Sequence, residues 1–289
     1  MKSLKRKEIT GVKLSYNVAQ QRKYKVALRK LVDRMTQTTK RELMKLFKSG
    51  LAKEYFAQDE SLAGQAKILL SKLTTTFEGL FNRAARPLAK KVFSGAERTS
   101  RTALNASVRD LGKKLTLKGN VIPEGKYEII EAAIKPRAKI SDDVEIASVA
   151  QNTDLIKSIP EQYFKDISGI VMRAITTGQG AKTIAEHLQK QEGMVNRRAT
   201  LIAYDQTRKV YTAVNKERMQ ALGLTKFKWL HSGGGQTPRP DHVKMDGNIY
   251  RFDDPPIIDR NTGERGFPGD AVNCRCTMAA VLEFEDDEK

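Results

Sequence analysis

The chain has 289 residues, 39% of them hydrophobic, which is enough for one large domain or two ordinary ones with a true core. No apolar run approaches bilayer length, and the basic opening MKSLKRKEITGVKLSYNVAQ has no apolar segment behind it, so the expectation is a soluble chain with no secretory signal and no membrane partner. The formal net charge is +18, and residues 1–135 hold all of the surplus, with 30 Lys and Arg against 12 Asp and Glu, while residues 136–289 hold 22 of each.

That asymmetry predicts one part that meets a polyanion or an acidic surface and another that behaves as an ordinary globular domain; the plainer alternative is a solvated basic face. The first half reads as helical. In YKVALRKLVDRMTQTTKRELMKLF the apolar residues Val26, Leu28, Leu31, Val32, Met35, Leu43, Leu46 and Phe47 are set among Lys and Arg. In AKILLSKLTTTFEGLFNRAARPLAKKVF, Leu69, Leu73, Phe77, Leu80, Ala84, Leu88 and Val92 draw one apolar stripe, which Pro87 is expected to kink or interrupt. Gly112, Gly119, Pro123 and Gly125 cluster in a break, and a domain boundary is expected near residue 135: a basic, mainly helical region over 1–135 and an α+β domain over 136–289.

Beyond the break, DLIKSIPEQYFKDISGIVMRAITTG and GAKTIAEHLQKQEG read as two helices punctuated by Pro160, Gly178, Gly180 and Gly193. Asn196 reads as the N-cap of a further long helix, with a stripe of Ala199, Ile202, Ala203, Gln206, Val210, Ala213 and Val214, stopping at Gly223. The period then switches to two. Phe227, Trp229 and His231 share one strand face, GNIYRF follows the Asp246-Gly247 turn, and NCRCTMAAVLEF places Cys274, Cys276, Met278 and Ala280 together. The acidic EFEDDEK reads as a frayed tail. The fold class expected is α+β: a basic helical N-terminal region followed by a helical and small antiparallel-sheet C-terminal domain.

Cys274 and Cys276 are the chain's two cysteines. In an extended strand their Cα atoms stand roughly 6.6 Å apart, at the edge of the disulfide range, so a reducing compartment is the default. With His231 and His242 they form a two-histidine, two-cysteine set, but the tight C-x2-C or H-x3-H pairs of zinc sites are missing. No metal is expected, and both thiols read as small apolar groups on the buried face of the last strand, with Arg275 pointing away to pair with Asp241, Asp246 or another loop carboxylate. A nuclease would need carboxylates converging on a metal; Asp241, Asp246, Asp253 and Asp254 lie in a turn-rich segment where Asp is the ordinary turn residue. The sequence has no P-loop, G-x-S-x-G or H-E-x-x-H, and SGGGQTPRP reads as a mobile loop. Double-stranded DNA is expected to be bound through phosphates alone, without sequence preference and with affinity falling as salt rises.

The order NTDLIKSIP, RRATLIAYDQTRKVYTAVNKERMQALG, KWLHSGGGQTPRPDHVKMDGNIY, FPGDAVNCRC resembles the phage Mu-type minor head proteins, also called phage head morphogenesis proteins, over roughly residues 150–282. The residues that carry the likeness are Trp229, His231, Pro238, Arg239, His242, Asp246, Gly247, Asn273, Cys274, Arg275 and Cys276. The resemblance implies a non-enzymatic minor capsid component of a tailed bacteriophage, located in the head interior of the virion. It implies association with the portal protein and the major capsid or scaffold protein, and action in head assembly, DNA packaging or ejection. It assigns no catalytic residue and no cofactor; zinc is implied for members with C-x-x-C before the D-G turn, where this chain has Pro238, Arg239, Pro240 and Asp241. Tyr204 stands where the family suggests a basic residue, so no role is carried over to Asp205. The alternatives are a metal-dependent nuclease or other nucleic-acid-processing enzyme, and a free DNA-compacting protein.

Overall fold

The structure, a computed structural model, describes residues 5–53, 61–117, 140–233 and 237–286. It is α+β. In chain order the elements are β1 (Lys5–Lys13), α1 (Val18–Lys53), α2 (Leu62–Leu117), α3 (Asp142–Thr176), α4 (Ala181–Ala221), β2 (Lys226–Leu230), α5 (Pro240–Lys244), β3 (Ile249–Arg251), β4 (Ile257–Asp259), β5 (Glu264–Arg265) and β6 (Thr277–Asp286). The chain forms two compact units that are not consecutive segments: Ala19–Lys91 with Val149–Tyr204 make one, and Met1–Val18, Val92–Ser148 and Asp205–Lys289 make the other. The boundary expected near residue 135 lies outside the described residues.

The first unit is helical. Along α1, Tyr24, Leu28, Val32, Met35, Leu43 and Phe47 are buried at helical spacing, while Lys23, Lys30, Arg34, Arg41, Lys45 and Lys48 form an exposed row. In α2 the buried stripe is rotated from the expected one. Leu73, Phe77 and Val92 are buried, but Leu70, Phe81, Ala85 and Ala89 face inward in place of Leu69, Leu80, Ala84 and Leu88. Two adjacent rows of this helix are both apolar, so period alone does not select the inner one. Helix α2 runs through Pro87 without interruption; the proline is on its exposed side, where the loss of one backbone donor is best tolerated.

Helix α3 begins at a cap, with the Val144 N–H donating to Ser141 Oγ at 3.3 Å, and carries Asp142, Asp143 and Glu145 in its first turn, where the helix dipole favours them. It passes through the buried Pro160 and ends at Thr176, beyond which the Gly178 N–H bonds to the Ile175 carbonyl at 3.2 Å. Helix α4 also exceeds its expected limits, continuing through Gly193 and Asn196. Asn196 caps nothing; its Nδ2 donates to Asp33 Oδ1 at 3.1 Å. A mid-helix Gly costs about 1 kcal/mol, and the burial of Val195 and Ala199 on the inner face offsets it. Tyr24 reaches Asn152 at 2.6 Å, and Phe77 stacks on Phe164 with ring centroids 6.1 Å apart, so all four helices contribute to this unit's packing.

The second unit holds a four-stranded antiparallel sheet of order β1-β6-β2-β3, with a separate β4-β5 pair. β1 is the element that the helical reading of the first half does not anticipate. Its run Glu8-Ile9-Thr10-Gly11-Val12 has β-branched residues but little apolar alternation, and what recruits it is a partner far along the chain: Ile9 opposes Leu282 and Glu8 opposes Glu283. Lys226 of β2 joins both carboxylates, at 2.6 Å from Glu8 and 2.6 Å from Glu283. Central β6 is buried from Met278 to Leu282, both faces included. On β2, Phe227 packs against Phe252 and Phe267 at 5.1 and 5.4 Å, and helix α4 contributes Val210, Tyr211 and Val214 to the core. Strand β6 continues through Asp286, so Glu283–Asp286 of the expected acidic tail are sheet.

Candidate functional site

The motif residues meet at one end of this sheet. Trp229 is fully buried on β2, and the turn that follows α5 returns the chain to it: the Gly247 N–H donates to the Trp229 carbonyl at 2.9 Å, and the Trp229 N–H to the Asn248 carbonyl at 2.8 Å. Gly247 has φ +80°, a left-handed conformation that suits glycine. Asp246 accepts the His231 backbone N–H at 2.8 Å, closing the open end of β2. His231 does not share the strand face with Trp229 as expected; the strand ends at Leu230, and His231 is half-exposed with its Nδ1 accepting the Gly233 N–H at 3.1 Å.

Cys274 and Cys276 are buried, and Arg275 between them is exposed. They do not lie on the last strand. β6 begins at Thr277, and the cysteines belong to the segment leading into it, after a turn in which the Cys274 N–H bonds to the Ala271 carbonyl at 2.9 Å. The two carboxylates named as partners for Arg275 are engaged elsewhere, Asp241 with Arg260 at 3.1 Å and Asp246 with the His231 backbone. Arg239 donates to the Val272 carbonyl at 2.9 Å, tying the loop before α5 to the same segment.

The NCRC segment is held against α4 by groups that motif and period do not single out. Asp205 accepts the Asn273 N–H at 2.9 Å, Arg208 donates to the Cys274 carbonyl at 3.3 Å, and the Thr212 hydroxyl donates to the Pro268 carbonyl at 2.6 Å. Asn273 has φ +58°, a left-handed conformation that Asn adopts more readily than most residues, and the Asp205 bond holds it there. Gly269 has φ +105°, and a Cβ at that position would stand 2.7 Å from Thr212 Oγ1, so only glycine lets the loop lie this close to α4. The signal available in sequence is the spacing Asp205, Arg208, Thr212, which puts three polar groups on one helix face amid an apolar stripe.

His242, Cys274 and Cys276 converge. Their nitrogen and sulfur atoms lie within 4.8 Å of one another, with His242 Nδ1 at 3.4 Å from Cys274 Sγ and 3.7 Å from Cys276 Sγ. The His242 ring is buried edge-on against Trp229 at 5.3 Å, and its Nε2 is 3.1 Å from the Ile258 carbonyl. A carbonyl only accepts, so Nε2 carries the proton and Nδ1 presents its lone pair to the sulfurs. The Cys276 N–H donates to Cys274 Sγ at 3.4 Å. Cys274 is the thiol that ionises first: the hydrogen bond from Cys276, and then His242, lower its pKa against the opposing effect of burial, while the same pairing and burial raise that of Cys276. The contact with Cys274 raises the His242 pKa. The cluster lines a pocket of about 580 Å³ together with His231, Pro238, Arg239, Asn273 and Arg275. Of the four residues set out as a ligand set from sequence, three are thus brought together and His231 stands at the same pocket.

Residues 165–279 match the model of the phage Mu protein F like family. Over this segment the chain is similar to that family. The Mu F-like segment starts within α3, ends in β6, and contains all of α4, the latch residues Asp205, Arg208 and Thr212, and the His242, Cys274 and Cys276 cluster. A protein of Haemophilus influenzae described as uncharacterized is 30% identical over 154 residues, 53% of this chain and 33% of that protein, so the chain spans about a third of the length of the curated relative it matches. No solved structure matches the chain.

Proposed function

We propose that this protein is a minor head protein of a tailed bacteriophage, a non-enzymatic component of head morphogenesis that associates with the portal and the inner capsid and acts in assembly, DNA packaging or ejection. The observation that carries this reading is the Mu F-like segment, because it coincides with the part of the chain held in place by specific polar contacts. Its partners are then the portal protein, the major capsid or scaffold protein and, through phosphates, double-stranded DNA. The exposed row Lys23, Lys30, Arg34, Arg41, Lys45 and Lys48 on α1 suits the last of these, since cations repeated along one helix face neutralise successive phosphates without reading bases. The carboxylates of the nuclease alternative are engaged separately: Asp241 with Arg260, Asp246 with the His231 N–H, Asp253 with Arg251 and Asp254 with Arg265.

Quantitative mass spectrometry of purified particles of the phage that encodes the chain tests the proposal. The expected result is a few copies per portal ring, and loss of those copies after triggered DNA release identifies an ejected component. Absence of the protein from intact particles removes the virion role.

A further inference from the structure

We propose that His242 Nδ1, Cys274 Sγ and Cys276 Sγ bind one Zn²⁺ ion, whose fourth position opens onto the adjoining pocket. Four-coordinate zinc with Zn–S of about 2.3 Å and Zn–N of about 2.0 Å places nitrogen and sulfur roughly 3.5 Å apart. The two observed separations, 3.4 and 3.7 Å, bracket that value. The histidine is already set for the task, because the Ile258 carbonyl holds the proton on Nε2 and turns the Nδ1 lone pair toward both sulfurs.

A metal-free alternative is a chain of S–H hydrogen bonds, and the surroundings of the sulfurs argue against it. A single Nδ1 lone pair accepts one S–H well, yet two sulfurs face it. Donors are also in surplus around them. Cys274 Sγ receives the Cys276 N–H at 3.4 Å. The indole N–H of Trp229 is also buried here, without a well-aligned acceptor among the described residues. Zinc binds cysteine as thiolate, and a cation set between the two sulfurs and Nδ1 offsets the cost of burying both charges. Soft sulfur with one imidazole selects zinc over magnesium or calcium. Loading leaves neutral His242 unchanged and releases two protons to solvent, one from each thiol.

His231 does not supply the fourth ligand in this arrangement. Its Nδ1 accepts the Gly233 N–H, so the neutral ring carries its proton on Nε2 and has no lone pair left for a metal. The open position therefore takes a small ligand from the pocket, a water, hydroxide or carboxylate oxygen, and the ion joins α5 to the segment that feeds β6.

The first measurement is the zinc content of the full chain purified without chelator or added metal; one zinc per chain is expected. After stripping, Co²⁺ should give the intense visible bands of a four-coordinate site and a sulfur-to-metal charge-transfer band. Cys274→Ser, Cys276→Ser and His242→Ala should each weaken binding by at least about tenfold, whereas His231→Ala should leave it within about twofold. A loss with His231→Ala equal to that of the cysteine variants would overturn the open fourth position. A readout on the unaltered chain avoids any dependence on variant folding: Zn²⁺ should slow alkylation of both thiols by at least about tenfold, and a chelator should restore it. Thiols that react equally fast with and without Zn²⁺, together with no Co²⁺ charge-transfer band, would overturn the site. None of these readouts involves phage particles, so they stand or fall apart from the virion assignment.

Discussion

The two units of this molecule differ in what their directed bonds hold in place: helices in one, loops in the other. In the helical unit, many interchangeable apolar contacts are spread along the helices, and the polar bonds, such as Tyr24 with Asn152 and Asn196 with Asp33, join one helix to another. In the sheet unit, the loops that carry the motif residues are placed by a small number of directed bonds: Asp205 to Asn273, Arg208 to Cys274, Thr212 to Pro268 and Asp246 to His231. The contrast teaches where tolerance should lie. Apolar volume can be exchanged along a helix stripe at modest cost, whereas a directed bond to a buried loop backbone has no substitute.

Substitutions can break or sharpen this contrast, and the single tryptophan helps, because Trp229 fluorescence reports the sheet unit while far-ultraviolet circular dichroism follows mainly the helices. The largest effect is expected from Trp229→Ala, about 3–5 kcal/mol, since a fully buried side chain in contact with His242 and Tyr250 is removed; urea unfolding followed by circular dichroism measures it. Phe81→Leu in the helical unit, equally buried, should cost less than half of that, about 1–1.5 kcal/mol, because neighbouring helix residues can repack. Equal losses from the two would erase the distinction between the units.

Asp205→Ala should destabilise by about 1–3 kcal/mol by leaving the Asn273 N–H without its acceptor, with Trp229 fluorescence shifting more than circular dichroism; Asp205→Asn, which keeps an acceptor oxygen, should recover part of the loss. Pro87→Ala should act in the other direction, stabilising by roughly 1 kcal/mol or more, because it restores a backbone donor within α2. The smallest effect concerns acidity. Burial raises the Asp270 pKa above the ordinary carboxylate range, so the folded state holds this proton more tightly than the unfolded chain does. Its contribution is therefore fully present below the usual aspartate value and is lost as pH rises through the raised one. Asp270→Asn, which can still accept the Phe267 N–H, should flatten that part of the stability-against-pH curve, as read by thermal melts from acid to neutral pH.

Hydrophobic period and turn chemistry account for much of the fold. β2 and β3 follow from the alternation at Phe227 and Trp229 and from the Asp246-Gly247 turn, and the end of α4 follows from Gly223 at φ +74°. Where period misleads, the cause is shared: the deciding partner lies far away in sequence. β1 is a strand because β6 is there to receive it, Asn196 is mid-helix because its side chain has Asp33 to bond, and Pro160 is tolerated inside α3 as part of a buried face. The site is legible in the sequence as a set of residue types and not as an arrangement. Spacing alone does not show that Ile258 fixes the His242 tautomer, or that Asp205 and Arg208 position the cysteines.

The pairing of β1 with β6 also has a consequence for the order in which the chain can mature on the ribosome. Ile9 finds its partner Leu282 only after more than 270 intervening residues have been made, so the sheet cannot close during most of synthesis. Helices α1 and α2 can form as soon as they emerge, while β1 must wait with its backbone groups unpaired and open to strangers. Its bias toward lysine and arginine, KRKEITGVK, then gives the waiting strand a charge that discourages premature pairing with another copy of itself.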